Sequence, residues 1–143
     1  MVFETKLKGS FRDAVLFLRW TGCRPQEMRA AEARHFQDNA LVFPVLESKG
    51  KRFKRVIPLP GLALELIKRQ AAKYPQGALF RNSKNRTWTA NALNWAFDRI
   101  GPEIFPYALR YTFITDGLIA GVPPAVLAEI VGHRDLKMIM TVY

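Results

Sequence analysis

The sequence is poor in cysteine and histidine. Its single cysteine, Cys23, cannot form a disulfide within the chain and is typical of a reducing compartment. We expect Cys23 to pack as a small apolar side chain. Cys23, the two histidines and the scattered acidic residues show no spacing typical of metal ligands. The sequence therefore predicts neither a metal nor another cofactor.

Long hydrophobic runs are also lacking. No stretch reaches the roughly 18 consecutive apolar residues that a membrane-spanning helix needs. The first ten residues lack the apolar stretch of a signal peptide. No internal repeat, low-complexity segment or linker divides the 143 residues. We therefore expect one domain, away from membranes, in an intracellular, cytoplasmic protein.

Acidic residues are few relative to basic ones. The chain has 12 Asp and Glu against 22 Lys and Arg, which gives a formal net charge of +10. This excess favours a polyanionic partner, and nucleic acid is the commonest one. A hydrophobic fraction of 49% is enough for a core, which excludes a disordered tail. Charge does not indicate a target sequence, because all sequences share the phosphate backbone.

The hydrophobic periodicity predicts a mostly helical chain with one strand pair. Residues 41–46 and 53–58 have strand character and flank a turn at 48–51, which predicts an antiparallel hairpin. Helical spacing and helix start and stop signals predict helices at about 10–20, from 25, and at 61–74, 90–100, 107–120 and 124–131, with a last short helix from 135. We therefore predict an α+β fold, mostly helical, with helices around a small antiparallel β-hairpin or sheet.

The predicted hairpin tip is strongly basic. A mobile basic tip can reach the DNA backbone, but lysines also protect exposed strand edges, and spacing does not separate these interpretations. We take five side chains as candidate DNA contacts: Lys51, Arg52, Lys54 and Arg55 of the hairpin, and Arg86 of a later polar loop. His35 is expected to be structural or exposed. Whether Trp88 or Trp95 faces the core is left open.

Three side chains of the C-terminal third suit chemistry on a phosphate. Arg110 lies early in the predicted helix that begins at Tyr107, His133 follows Gly132, and Tyr143 closes the sequence. Arginine pairs two phosphate oxygens with its planar fork, and histidine exchanges a proton near neutral pH. Tyrosine is a covalent nucleophile if its neighbours help it to lose a proton that is held to a pKa of about 10.

Four segments then resemble boxes of the tyrosine recombinases, the phage integrase family. In chain order they are TGCRPQE at 21–27, the KGK of 49–51 before VIPL, YALRYTF at 107–113 and VGH at 131–133. They are similar to the family's TGxRxxE box, its lysine-bearing β-hairpin, its HxLRHTF box and its LGH box. Tyr143 falls near the position of the family's nucleophile. The resemblance covers the chain from about residue 11 to its end.

The resemblance implies a catalytic domain that cleaves and rejoins DNA through a 3′-phosphotyrosine link. Arg24 and Arg110 are then expected to clamp the non-bridging oxygens of the scissile phosphate, to which His133 donates a hydrogen bond. Tyr143 is the expected nucleophile. Lys49 is the expected general acid for the 5′ oxygen, with Lys51 as its alternative, and Glu27 is expected to brace the site.

Three features depart from the family pattern, and one of them is Tyr111 in place of the histidine that often follows the arginine of the HxLRHTF box. Tyr107 stands where the family usually has histidine, and a phenol can hydrogen-bond to phosphate but is a poor base at neutral pH. The interval from His133 to Tyr143 is one residue longer than usual. These departures leave open a catalytically inert DNA-binding module of the same fold. A second alternative is an enzyme similar to type IB topoisomerases, which share the catalytic chemistry on a related fold.

The resemblance also implies partners and domain organisation. The partner is double-stranded DNA, on which the family acts as a homotetramer. We expect residues 1–143 to form the catalytic domain, without the N-terminal core-binding domain that members of the family normally carry.

Overall fold

Helices make up most of the part of the chain that the computed structural model describes, residues 7–133. The helices within that range are α1 (Gly9–Thr21), α2 (Pro25–Ala30), α3 (Gly61–Lys73), α4 (Ala90–Asp98), α5 (Pro106–Ile119) and α6 (Pro124–Val131). They confirm the helical segments predicted over this range. The predicted helix from residue 135 lies outside the described residues.

A small antiparallel sheet interrupts the helices. Its strands, in the spatial order β1-β2-β3, are β1 (Phe36–Gln37), β2 (Ala40–Phe43) and β3 (Arg55–Pro58). Leu41 pairs with Phe36 on one side and with Ile57 on the other. The predicted hairpin is confirmed as the β2–β3 pair, and with it the α+β class.

The predicted strand boundaries around the hairpin were wrong. Strand β2 ends at Phe43 instead of continuing to residue 46, because Pro44 has no N–H to donate to the ladder. The chain then forms a 3₁₀ helix, Val45–Glu47. The returning strand begins at Arg55 rather than at residue 53.

Strand β1 was not predicted at all. It joins β2 through Asp38 and Asn39, whose φ angles are 49° and 61°. Positive φ at both central residues is typical of the tight hairpin turn that asparagine and aspartate favour. This Asp-Asn pair is the signal in the sequence that indicates the extra strand.

Helix α1 lies at the centre of the main core. It packs against α3 and α5, and Phe17 and Leu18 are among its buried side chains. The helix ends at Gly22 in the left-handed conformation, with φ 67°. A Cβ atom on Gly22 would lie 2.3 Å from Cδ1 of Phe113, so only glycine lets α5 come this close.

The two tryptophans whose orientation the sequence left open differ in burial. Trp88 is buried, and its ring lies 5.9 Å from that of Phe11. Trp95 is 65% exposed, and the guanidinium of Arg99 lies over its ring at 4.3 Å. Trp88 therefore belongs to the core, whereas Trp95 covers the outer face of α4.

A second, smaller apolar cluster attaches α6 to α5. Ile114 of α5 packs with Leu127, Ala128 and Val131 of α6, and all four are buried. This contact fixes the C-terminal end of α6 beside the start of α2, where the candidate site lies. Within residues 7–133, no helix is both long enough and apolar enough to cross a membrane.

Candidate active site

The C-terminal end of α6 is surrounded by arginines. The last carbonyl groups of a helix have no partner within the helix and carry partial negative charge. Three consecutive carbonyl oxygens here each accept a hydrogen bond from a different arginine: Ile130 from Arg55 (2.9 Å), Val131 from Arg110 (2.7 Å) and Gly132 from Arg24 (3.1 Å). The two arginines that were expected to clamp a phosphate therefore meet at one point of the fold.

Each of these arginines comes from a different element. Arg24 is the N-cap residue of α2, Arg55 is the first residue of β3, and Arg110 lies in the second turn of α5. Arg110 also donates to the carbonyl of Gly22, at 2.8 Å, and is 2% exposed. Its anchoring therefore depends on the close approach of α5 to the end of α1.

Glycine is required at the corner after α6. Gly132 has a φ of 79° and ends the helix in the left-handed conformation, as predicted. A Cβ atom there would lie 2.9 Å from Nε of Arg55 and 3.1 Å from Nη1 of Arg24. The missing side chain leaves room for both guanidinium groups.

Glu27 holds two of the three arginines. Its carboxylate accepts hydrogen bonds from Nε of Arg55 at 2.7 Å and from the backbone amide of Arg24 at 2.8 Å. Nη1 of Arg24 lies 3.3 Å from the same carboxylate. Burial raises the pKa of Glu27, but the charge and hydrogen bonds of Arg55 and Arg24 outweigh burial and leave the pKa below its usual value. The carboxylate is therefore ionised and joins the arginines into one cluster.

The cluster carries excess positive charge. Three guanidinium groups against one carboxylate leave two positive charges in a largely buried position. Burial, reinforced by the charge of Arg24, lowers the pKa of Arg110 to about 10. Uncompensated buried charge is unfavourable, so an anion at this position stabilises the cluster.

His133 follows the arginine-bound corner directly. Its backbone amide donates to the carbonyl of Ala128 at 2.8 Å. Its ring atom Nδ1 is buried and has no hydrogen-bond partner in the described part of the chain. Burial and the charges of Arg110 and Arg24 lower the pKa of His133 to about 4. The ring is therefore neutral at neutral pH, and a bound anion is expected to raise its pKa.

A cleft of about 970 Å³ opens over this corner. It lies between the hairpin loop and α6, and Lys49 lies exposed in its wall. Of the sequence-predicted site residues, the cleft is lined by Arg24, Glu27, Lys49, Lys54, Arg55 and His133. Arg110 lies below this lining, bonded to the same corner through Val131. The structure thus brings together both expected clamp arginines, the expected general acid and the histidine.

Other predicted site residues lie elsewhere. Tyr107 is exposed and does not line the cleft, and its hydroxyl is 3.4 Å from Oε1 of Gln26. Three predicted DNA contacts are exposed but do not line the cleft either: Lys51, Arg52 and Arg86. Tyr143 lies outside the described residues. The roles of these five residues, like those of the residues at the corner and in the cleft, stay predictions.

Arg55, predicted as a DNA contact in the flank of the hairpin turn, is not exposed. Only 8% of the residue is exposed, because its guanidinium is bonded to Glu27 and to the end of α6. The period of a strand could have indicated this burial, since Arg55 and the buried Ile57 share one face of β3.

The hairpin loop is anchored at its base by a residue that the sequence left without a functional role. His35 is buried and confirmed as structural: Nδ1 accepts from the amide of Glu32, and Nε2 lies 3.0 Å from Oε1 of Glu47. Bonds from Arg34 and His35 lower the pKa of Glu47 to about 2. Glu47 lies two residues before Lys49, so these contacts fix one end of the Lys49 loop.

Cys23 packs as predicted. It is buried between the end of α1 and the start of α2, with 1% of its surface exposed. Burial, together with the negative charge of Glu27, raises the pKa of its thiol to about 12. The thiol is therefore protonated and unsuited to act as a nucleophile.

Comparison with known proteins identifies relatives of this chain. A tyrosine recombinase of Thermosipho africanus (strain TCF52B) is 24% identical in an alignment of length 135 that covers 88% of this chain and 46% of that protein. The Tn1549 transposon integrase, solved in complex with circular intermediate DNA, superposes with a TM-score of 0.78 at 21% identity and covers 99% of this chain and 58% of its own.

A second solved structure shares the fold. The XerH site-specific recombinase bound to difH substrate has a TM-score of 0.72 at 17% identity, over 97% of this chain and 45% of its own. The chain thus spans about half the length of the relatives that it matches. The sequence profile described as "Phage integrase family" matches residues 3–143. The chain belongs to the phage integrase family.

Proposed function

We propose that this chain is the catalytic domain of a site-specific DNA recombinase or integrase, which cleaves and rejoins DNA strands through a 3′-phosphotyrosine intermediate. The observation that carries the proposal is the meeting of Arg24, Arg110 and the Gly132–His133 corner at the end of α6. Related proteins solved with DNA support double-stranded DNA as the substrate. The proposal includes an intracellular location and a homotetramer on DNA.

The charge of the cluster suits a phosphodiester. The ground state carries one negative charge, and attack by a phenolate oxygen adds a second one in the transition state. The two uncompensated positive charges of the cluster match that dianion. Donors that are already in place when the charge develops contribute to rate, and loss of one such donor typically costs about 10²- to 10³-fold.

Each residue then has one role in the cleavage step. Tyr143 loses its phenolic proton to solvent water, and its oxygen bonds to phosphorus while the bond from phosphorus to the 5′ oxygen breaks. Lys49 supplies the proton that this oxygen takes up. Arg24 and Arg110 neutralise the non-bridging oxygens, and His133 donates a hydrogen bond to one of them. The phosphotyrosine link retains the energy of the phosphodiester, so a 5′ hydroxyl reverses the step without ATP.

The hydrogen bonds of Arg110 favour one alternative function. Both terminal nitrogens of Arg110 donate to protein carbonyls, and Tyr107 replaces the family's usual histidine. A module that binds DNA without cleaving it is consistent with these contacts. Cleavage requires Arg110 to direct its remaining N–H bonds to the phosphate.

Covalent trapping on a suicide duplex distinguishes the two functions. Wild-type protein is expected to give a DNA–protein adduct on a denaturing gel, and Tyr143→Phe is expected to give none. Arg110→Ala is expected to lower the rate of adduct formation by about 10²-fold or more, with a modest change in DNA affinity. DNA binding by the wild type without an adduct would support the inert module. Relaxation of supercoiled DNA without site preference would support the topoisomerase alternative.

A further inference from the structure

Arg55 joins three elements of the site. Its Nε and Nη2 donate to the two carboxylate oxygens of Glu27, at 2.7 and 3.4 Å. Its Nη1 donates to the carbonyls of Val56 and Ile130, at 2.7 and 2.9 Å. The guanidinium therefore connects β3 with α2 and with the C-terminal end of α6. Its neighbour Lys54, by contrast, is exposed.

We propose that Arg55 is a positioning residue for strand cleavage and not a DNA contact. It holds the Gly132–His133 corner and the carboxylate of Glu27, and thereby aligns Arg24 and His133 on the scissile phosphate. This inference rests on the proposed recombinase function.

The shape of the guanidinium explains why an arginine is needed. A planar fork donates to several acceptors in fixed directions, whereas a lysine is a single point charge. Here the fork also forms the surface on which the corner rests, since a Cβ atom on Gly132 would lie 2.9 Å from Nε and 3.0 Å from Cζ of Arg55. Displacement of the corner by about 1 Å is enough to lower a rate by about 10²-fold.

Arg55 also influences the orientation of the Arg24 side chain. Glu27 shares its charge between the two arginines: Arg55 is bonded at 2.7 Å, whereas Nη1 of Arg24 lies at the longer distance of 3.3 Å. Of the two arginines that bond to the carboxylate of Glu27, only Arg24 remains when Arg55 is removed. We expect Arg24 to turn towards Glu27 and away from the carbonyl of Gly132.

The test separates positioning from DNA contact. DNA affinity is measured over a range of salt concentrations, and the rate of adduct formation is measured at saturating suicide duplex. The variants are Arg55→Met, Arg55→Lys and, as a matched control on the exposed neighbour, Lys54→Met. A side chain that contacts phosphate lowers the salt slope by about one when it is removed.

Substitutions of Arg55 and of Lys54 are expected to change different measurements. Arg55→Met should keep the wild-type salt slope and form the adduct about 10²-fold more slowly, and Arg55→Lys should also be slow despite its charge. Lys54→Met should lose affinity and about one unit of salt slope. The proposal is overturned if Arg55→Met behaves like Lys54→Met and its bound complex cleaves at the wild-type rate, or if Arg55→Lys cleaves at that rate.

A third measurement, hydrogen exchange, does not depend on DNA cleavage. The amide of His133 donates to Ala128 and the amide of Tyr74 donates to Gln70, each at 2.8 Å and each at a helix C-terminus. In Arg55→Lys, hydrogen exchange should accelerate by about tenfold or more at His133 and stay unchanged at Tyr74. Equal acceleration at both amides, or at neither, contradicts the proposal.

The arms also separate failure of this inference from failure of the proposed function. If wild-type protein binds DNA but forms no adduct, the recombinase function is wrong. The salt slope and the exchange at His133 then still decide whether Arg55 contacts DNA or holds the corner.

Discussion

Substitution of Gly132 by alanine tests how closely the arginines are packed at the end of α6. The methyl group has to adopt a φ of 79° and to enter space beside Arg55 and Arg24, 2.9 and 3.1 Å from their nearest atoms. Gly121 provides a matched control. It has a φ of 88° and ends a helical segment, but within residues 7–133 no atom beyond its own chain neighbours lies within 4 Å of the added Cβ. Gly121→Ala therefore carries the backbone strain without the contact.

The two substitutions should differ in magnitude. The left-handed conformation costs a non-glycine residue about 1–2 kcal/mol, which applies to both. Insertion of a methyl group into a packed site costs about 1–3 kcal/mol more, which applies to Gly132 alone. With about 3 °C for each kcal/mol in a domain of this size, Gly121→Ala should lower Tm by about 3–6 °C and Gly132→Ala by about 6–15 °C.

Thermal unfolding and covalent trapping are the two assays. Gly121→Ala should form the adduct at the wild-type rate, whereas Gly132→Ala should be about 10²-fold slower at saturating DNA, because the shifted guanidinium groups no longer match the phosphate. Equal losses of Tm in the two variants, together with equal adduct rates, would refute the close packing inferred for the corner.

Three further predictions concern titratable groups at or beside the site. Glu27→Gln should lower the free energy of unfolding by about 3–5 kcal/mol, because it leaves the charges of the arginines uncompensated, and added sulfate should reduce this loss. An unchanged free energy of unfolding in chemical denaturation, together with an unchanged Tm in thermal melting, contradicts this. The pKa of His133 lies below that of the unfolded chain, so the free energy of unfolding should fall as pH drops from about 6.5 to 4. His133→Gln should flatten that slope, and identical slopes would count against it. Cys23, with its pKa near 12, should react with a thiol reagent at pH 8 only on unfolding; rapid native labelling would oppose this.

Much of the fold could be predicted because its signals are local. The apolar spacing of α1, the cap of Thr89 on α4 and the glycine after α6 are each encoded within a few residues. Thr89 accepts from the amide of Ala92, as an N-cap should. Strands and their ends were harder to predict, because β1 has only two residues and β2 stops where Pro44 has no backbone N–H to donate.

The site was predictable to the extent that its residues fall into recognisable boxes. Arg24, Arg110 and His133 were identified in this way, and the structure brings them to one corner. Arg55 was misplaced because it is one of several basic residues in a short stretch. Its burial depends on Glu27, which lies 28 positions earlier, and on Ile130, 75 positions later. The strand period indicates that Arg55 is buried, but local spacing does not identify these distant partners.

In the proposed function, Arg24 and Arg110 neutralise the charge of one scissile phosphate. The most direct measurement compares adduct formation on a normal suicide duplex with that on a duplex whose scissile phosphate is a neutral methylphosphonate. Because this substrate carries no charge to neutralise, the deficit of Arg110→Ala relative to wild type should shrink by about tenfold or more, and that of Arg24→Ala likewise. Equal deficits on both substrates would contradict the claim.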